Sequence, residues 1–203
     1  MILDPTRLDD EDEQPRDKEA RNAPEVIEKA LFNARIVMLT GEVNDTQARR
    51  VTERLFALAS ENAKPITFVI SSPGGHVESG DMIHDVVKFI NAPVRMLGTG
   101  WVASAGALIY CAVPREQRYC LPNTRFLLHE PRGGVGGMAS DVEIQAREIL
   151  RMRERLNKIF AEATGQPLDK IKKDTDRDHW MLPDEAVAYG LVGKVVRSAD
   201  EIR

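Results

Sequence analysis

Three short apolar runs in the first half of the chain restrict its fold more than anything else in the sequence. Ile36-Val37-Met38-Leu39, Ile66 to Ile70 and Val94 to Leu97 each have strand length and composition. The first ends at Thr40-Gly41, and a helix is expected from about Asp45 to Asn62, with Ala48, Val51, Leu55 and Leu58 on one face. The second ends at Ser71-Ser72-Pro73-Gly74-Gly75 and leads to an amphipathic helix from about Val77 to Ile90, stopped by Pro93. Strands separated by helices cannot pair as hairpins. The chain must cross over each time, which predicts an α/β fold around a mostly parallel sheet.

Composition narrows the class. The 203 residues are enough for one domain with a sizeable core, and 42% hydrophobic with 30% charged residues is a globular balance. The net charge of −4 is unevenly spread: residues 1–25 hold nine Asp/Glu and four Lys/Arg, so the remainder is close to neutral. No basic face is suggested, which argues against nucleic acid as a partner. Residues 1–24, with Asp9-Asp10-Glu11-Asp12-Glu13, are expected to be an acidic disordered segment ahead of a domain at 25–203. Cys111 and Cys120 lie in apolar runs without disulfide or metal spacing and read as small core residues. The start lacks the pattern of a signal peptide and no run approaches a membrane span, so a cytoplasmic location is expected, with no membrane partner.

The second half is shorter-pitched. Arg118 to Leu121 and Arg125 to Leu128 read as strands about a turn at Pro122-Asn123. Gly133-Gly134-Val135-Gly136-Gly137 is too glycine-rich for a regular element. Ser140-Asp141-Val142-Glu143 then reads as a capping box opening the longest helix, with Val142, Ile149, Leu156 and Ala163 repeating every seven residues until Gly165 and Pro167. About 24 residues at ~1.5 Å each exceed the thickness of such a domain, so this helix should protrude and pack on another subunit. Short helices near Leu168 to Lys173 and Pro183 to Tyr189 and a strand Val192 to Val196 close the chain.

Ser104 follows the third strand and precedes Ala105-Gly106-Ala107, a strand-to-helix turn where a nucleophile would have backbone N–H groups beside it. From this stretch alone a plain serine N-cap is the simpler reading of that position. Ser72-Pro73-Gly74-Gly75 could bring further N–H groups to an oxyanion, or be a turn and nothing more. Among the histidines, His76, His84, His129 and His179, His129 is the best-placed base because it ends the apolar run Phe126-Leu127-Leu128. His84, mid-helix, reads as solvated or partly packed. Asp174, Asp176 and Asp178 supply three candidate acids, or a solvated polar turn.

Taken together, these segments resemble the proteolytic subunit of the Clp protease (ClpP) from about Phe32 to Val196. The matching stretches are Leu39-Thr40-Gly41, Ser72-Pro73-Gly74-Gly75, Ala103-Ser104, Cys120-Leu121-Pro122-Asn123, His129-Glu130-Pro131, Ala146-Arg147-Glu148-Ile149-Leu150, Thr175-Asp176-Arg177-Asp178 and the run from Glu185 to Val192. The resemblance implies a crotonase-like spiral of ββα units with the long helix as its protruding handle. It implies a serine endopeptidase with Ser104 as nucleophile, His129 as base, Asp178 as orienting acid, and the amides of Gly75 and Ala105 as oxyanion donors. It also implies no metal or bound cofactor, ATP being used only by a partner unfoldase. Peptides or unfolded proteins would be the substrates, inside stacked heptameric rings (a tetradecamer), with Arg177 and Asp141 meeting between rings. Possible partners are a Clp-type AAA+ ATPase or a second ClpP subunit.

Two features depart from that family pattern. No segment aligns with the family's pore hairpin. Where alternate aromatic residues normally line the pocket for the unfoldase, this chain has Thr67 and Val69, so weak docking of a homomeric ring is expected. The other readings are a structural or regulatory ring subunit, a peptidase not coupled to an ATPase, and, more distantly, a crotonase-type acyl-CoA enzyme sharing the fold.

Overall fold

The computed structural model describes residues 25–202, and the acidic segment 1–24 lies outside the described residues. Two compact units divide the chain at Ala34/Arg35. The described part of the first is a helix, α1, residues 25–33. The second unit carries everything that follows.

Its elements in chain order are β1 (Ile36–Thr40), α2 (Asp45–Glu61), β2 (Ile66–Ser72), α3 (Val77–Phe89), β3 (Val94–Ala103) and α4 (Ala105–Tyr110), then β4 (Arg118–Cys120), β5 (Arg125–Leu128), α5 (Ala139–Thr164), α6 (Leu168–Thr175), β6 (His179–Met181), α7 (Pro183–Tyr189) and β7 (Lys194–Val195). The sheet runs β1-β2-β3-β4-β7, with β5 also on β3 and β6 on β5. Every pairing is parallel except β5 with β6. The crossovers predicted from the apolar runs are therefore present. Apolar alternation sets the faces: Ile66, Phe68 and Ile70 are fully buried under the helices, while Thr67 and Val69 lie on the other, partly open face.

The third strand is longer than its apolar run suggests, continuing through Gly98 and Gly100 to Ala103. Those glycines are used for close approach rather than as a stop. A Cβ on Gly98 would lie 3.0 Å from the Val102 side chain, and one on Gly100 would lie 2.8 Å from Ser71 Oγ. The length lets β3 take two parallel partners in succession, β4 beside Met96–Gly98 and β5 beside Trp101–Ala103.

The long helix α5 has 26 residues, about 39 Å at ~1.5 Å per residue. Its start differs from the expected capping box. The helix begins at Ala139, and Met138 is the N-cap with no side-chain hydrogen bond, so Ser140 falls inside the first turn. An extended Met138 following Gly137 (φ +124) already directs the chain into the helix. Its buried residues, Leu156, Asn157, Phe160 and Thr164, all lie in the C-terminal half. Ile144 and Leu150 in the first half are 57% and 53% exposed. Half of the helix is anchored to the body and half stands clear of it, as its length foretold.

Burial corrects one side chain and supports two others. His84 is buried, not solvated, with Nδ1 3.1 Å from the Asp85 carboxylate. Cys111 and Cys120 are buried free thiols. Burial pushes Cys111 to about 11 and Cys120 to about 12, so both stay neutral and serve as packing. Among the described residues, no helix is long and apolar enough to cross a membrane.

Candidate active site

Three adjacent strand ends bring the candidate residues together. β3 ends at Ala103, which pairs with Leu127 of β5, and Ser104 N–H donates to Leu127 O at 3.0 Å. Ser104 is thereby fixed beside the strand that delivers His129. The antiparallel register of β5 and β6 pairs Leu128 with His179, so the next residues outward, His129 and Asp178, face one another across the same ladder. A second tie holds the turn: Glu130 N–H donates to Thr175 O at 2.8 Å. Thr175 is itself buried and donates through Oγ1 to Asn157 of α5 at 3.0 Å.

Ser104 stands at φ 55°, ψ −122°, one of two non-glycine residues with positive φ among those described. Such a backbone costs on the order of 1–3 kcal/mol for a residue with a Cβ. A serine N-cap takes an extended conformation and bonds the N2 or N3 amide; Ser104 does neither. The capping role is therefore rejected. What the strain achieves is a sharp strand-to-helix turn that lifts the hydroxyl off the sheet, as in nucleophile elbows of other sequence.

The glycine turn lies directly against that hydroxyl. A Cβ on Gly74 would sit 2.5 Å from Ser104 Cβ and 3.0 Å from its Oγ, so only glycine fits there. Gly75 forms an isolated parallel bridge with Val43: Val43 N–H donates to Gly74 O and His76 N–H to Val43 O, both at 2.8 Å. In such a bridge the flanking residues make the bonds, and the N–H of Gly75 faces the other way. Ala105 opens α4, where the first amides of a helix have no intrahelical acceptor. Ser104 and His129 share one small pocket with Val77, Ala105, Leu108, Pro131, Leu156 and Phe160. Its walls are apolar.

The third member of the expected set is engaged elsewhere. Asp178 accepts from Arg132, and the Nδ1 of His129 is buried without a hydrogen-bond partner. Burial first, and the Arg132 guanidinium second, hold His129 below the ordinary imidazole range, against the upward pull of Glu130 and Asp178. Sequence reading did not single out Arg132, although a cation three residues after the candidate base was a visible signal. Nor did it single out Asn157. Asp174 is set aside as the acid because its carboxylate is taken by Lys170 and by the Tyr189 hydroxyl. Arg177 donates to the carbonyl of Asp176 at 3.4 Å, and Asp141 lies in the first turn of α5. Within one chain no ion pair joins these two among the described residues. Nor is any cluster of three or more His, Cys, Asp or Glu side chains placed to hold a metal among them.

A family model described as Clp protease matches residues 18–199. The chain belongs to the Clp protease family. It is 55% identical over 210 residues to the ATP-dependent Clp protease proteolytic subunit 2 of Gluconobacter oxydans, covering 99% of this chain and 94% of that protein. Against the proteolytic subunit 3 of Rhizobium etli the identity is 58% over 195 residues, covering 96% and 100%. The solved structure of ClpP1 from Listeria monocytogenes superposes with a TM-score of 0.80 at 46% identity, covering 87% of this chain and 99% of that one. The ClpP fold expected from the sequence is thus the fold observed, and the chain is a serine endopeptidase, a proteolytic subunit of Clp type.

The Arg132 contact has a measurable consequence. In Arg132→Leu the guanidinium no longer opposes protonation of His129, and Asp178 is free to favour it. The His129 titration should move to higher pH, and a role for His129 as general base would carry the acid limb of kcat/KM with it, since a base must be neutral to act. A peptidase pH profile of the variant beside the wild type checks the direction.

Proposed function

We propose that Ser104, His129 and Asp178 form the catalytic triad of this peptidase, with the amides of Gly75 and Ala105 as its oxyanion hole. The observation that carries the reading is the β5–β6 register, which sets His129 opposite Asp178 on the strand adjoining Ser104. His129 takes the Ser104 proton as Oγ attacks the peptide carbonyl, and the two amides hold the oxyanion. His129 then protonates the leaving amine, and water repeats the sequence to release the acid. The groups required are the chain's own.

Closing the triad asks Asp178 to exchange Arg132 for His129. The Arg132 and Asp178 side chains are 67% and 39% exposed, and an ion pair that open to water is worth about 0–1 kcal/mol. Leaving a buried ring nitrogen unpaired costs about 1–3 kcal/mol. The exchange is therefore favourable or nearly neutral. Ser104→Ala should lower peptide hydrolysis by on the order of 10⁴-fold or more with the fold retained. A serine-directed phosphonate should label the wild type at Ser104 only, and labelling that survives the substitution would reject the assignment.

Self-assembly into rings is the second part of the proposal, and a cytoplasmic location goes with it. The free N-terminal half of α5 supports assembly, as do Phe56, Met82 and Phe89, which are 45%, 46% and 76% exposed. Arg177 and Asp141 keep the inter-ring role that the family resemblance suggests. Leu156 is unsuited to testing this, because it is buried in the pocket beside Ser104 rather than offered to a neighbour. Leu150→Asp is the better probe. Light scattering should show a many-subunit particle for the wild type, a tetradecamer by resemblance, and a shift toward smaller species for the variant.

Acceptance of substrates from a Clp-type ATPase is the third part. The open face of the sheet pairs Thr67 with Ile36 and Arg95, and Val69 with Met38 and Leu97. That is less apolar area than aromatic residues would supply, with a charge at one end, and it favours weak docking of the homomer. Short peptides should be cut without nucleotide, whereas a tagged folded protein should resist the homomer plus ATPase unless a second ClpP subunit is present. Degradation assays with and without ATP measure both.

A further inference from the structure

His76 was one of four histidines in the sequence and takes no part in the triad, yet it directly follows Gly75. Its side chain lies in a cluster that joins the N-termini of two helices. Ser79 Oγ donates to Asp45 Oδ1 at 2.6 Å. Nδ1 of His76 is 2.8 Å from Ser79 Oγ and 3.2 Å from Asp45 Oδ1, and Nε2 is 3.1 Å from Glu78 Oε2. Asp45 is the first residue of α2; His76 is the N-cap of α3, with Glu78 and the buried Ser79 in its first turn.

Counting protons fixes the direction of the bonds. A serine hydroxyl has one proton, and here it goes to Asp45, so Ser79 Oγ accepts from His76. Nδ1 is therefore the donor, and the bonds run from His76 through Ser79 to Asp45. The Ser79 hydroxyl first, and the adjacent His76 ring second, hold the Asp45 carboxyl below its ordinary range.

The same two chain segments are thus clamped twice. Backbone bonds through Val43 hold Gly74 and His76, and side-chain bonds through Asp45 hold His76 and Ser79. The backbone clamp is an isolated bridge outside any strand, so nothing propagates its register. Gly75 between them has φ +145°, and a Cβ there would lie 2.2 Å from Val43 O. We infer that His76 is a positioning residue for the Gly75 amide, its Nδ1–H bonded through Ser79 to Asp45 and so fixing segment 74–76 against 43–45, which keeps this donor aimed at the oxyanion. The inference rests on the proposed role of Gly75.

An oxyanion exists only in the transition state, so a loosened donor should lower kcat and leave KM for a short peptide nearly unchanged. His76→Leu, which removes the donor to Ser79, should lose on the order of tenfold in kcat. His76→Asn, whose amide can donate from about the position of Nδ1, should recover a measurable part of that loss. Affinity for a peptide boronate, which mimics the tetrahedral adduct, should fall with kcat across the set. Thermal midpoint and particle size are measured alongside. Unchanged kcat in His76→Leu, a loss that appears in KM instead, or a loss that tracks melting or dissociation and is unrelieved in His76→Asn would each overturn the inference. Ser104→Ala is run in parallel: if activity survives that change, the triad reading fails first, whereas its loss with an unaffected His76→Leu rejects His76 alone.

Discussion

The antiparallel pairing of β5 with β6 is the interaction on which the site depends. Every other ladder in the sheet is parallel, and parallel strands deliver their C-terminal ends to the same edge. Ser104 and His129 both arrive that way. An acid from the later part of the chain would also have to follow a strand, unless the chain turned back. β6 does turn back, so Asp178 precedes its strand and still meets the edge where Ser104 and His129 end theirs. Three residues of hairpin-like pairing, unconnected in sequence, convert a parallel sheet into a three-sided site.

Close packing then decides which residues can surround the nucleophile. Gly74 touches Ser104, Gly106 at the start of α4 would place a Cβ 3.2 Å from that of Ser72, and Gly80 of α3 would place one 3.2 Å from that of Ala105. The strand end, the glycine turn and two helix starts are stacked with no room for side chains between them. Backbone amides consequently lie where a bulkier turn would have put methyl groups. Oxyanion binding of this kind needs donors already in place before charge develops, because reorganising them later would forfeit the gain. Tight glycine contacts are a way to satisfy that requirement with backbone alone.

Much of this was legible in the sequence because it is local. The apolar runs fixed β1, β2 and the start of β3, and helical periodicity fixed α2, α3 and α5. The motif order pointed to Ser104 and His129. What sequence could not show was decided by partners far along the chain. His179-Trp180-Met181 has no strand signature in isolation; it becomes β6 by pairing with β5 and by the Arg125 guanidinium packing 4.3 Å over the Trp180 ring. Gly98 and Gly100 look like a strand terminus, but cross-sheet contacts with Ser71 and Thr124 carry β3 through them. Ser140 has the residue types of a capping box, yet after the preceding glycine segment the helix starts two residues earlier, with Met138 as its N-cap. Arg132 is visible in the sequence as a cation three residues after His129, but its bond to Asp178 depends on three-dimensional adjacency.

The long helix links the site to whatever lies beyond the chain. Its C-terminal half supplies Leu156 and Phe160 to the pocket, burial worth about 1.5–3 kcal/mol each. Asn157 on the same half bonds Thr175, whose carbonyl holds Glu130 next to His129. Arg153 reaches Glu130 directly at 3.2 Å, and Arg155 makes a two-pronged pair with Asp81 of α3 at 2.5 and 2.6 Å. Among the described residues the N-terminal half makes no comparable anchor to the body, and the glycine segment 133–137 separates it from Arg132. Asn157 and Arg153 thus tie the C-terminal half of the helix to the residues flanking His129, while its other half is left free of that body.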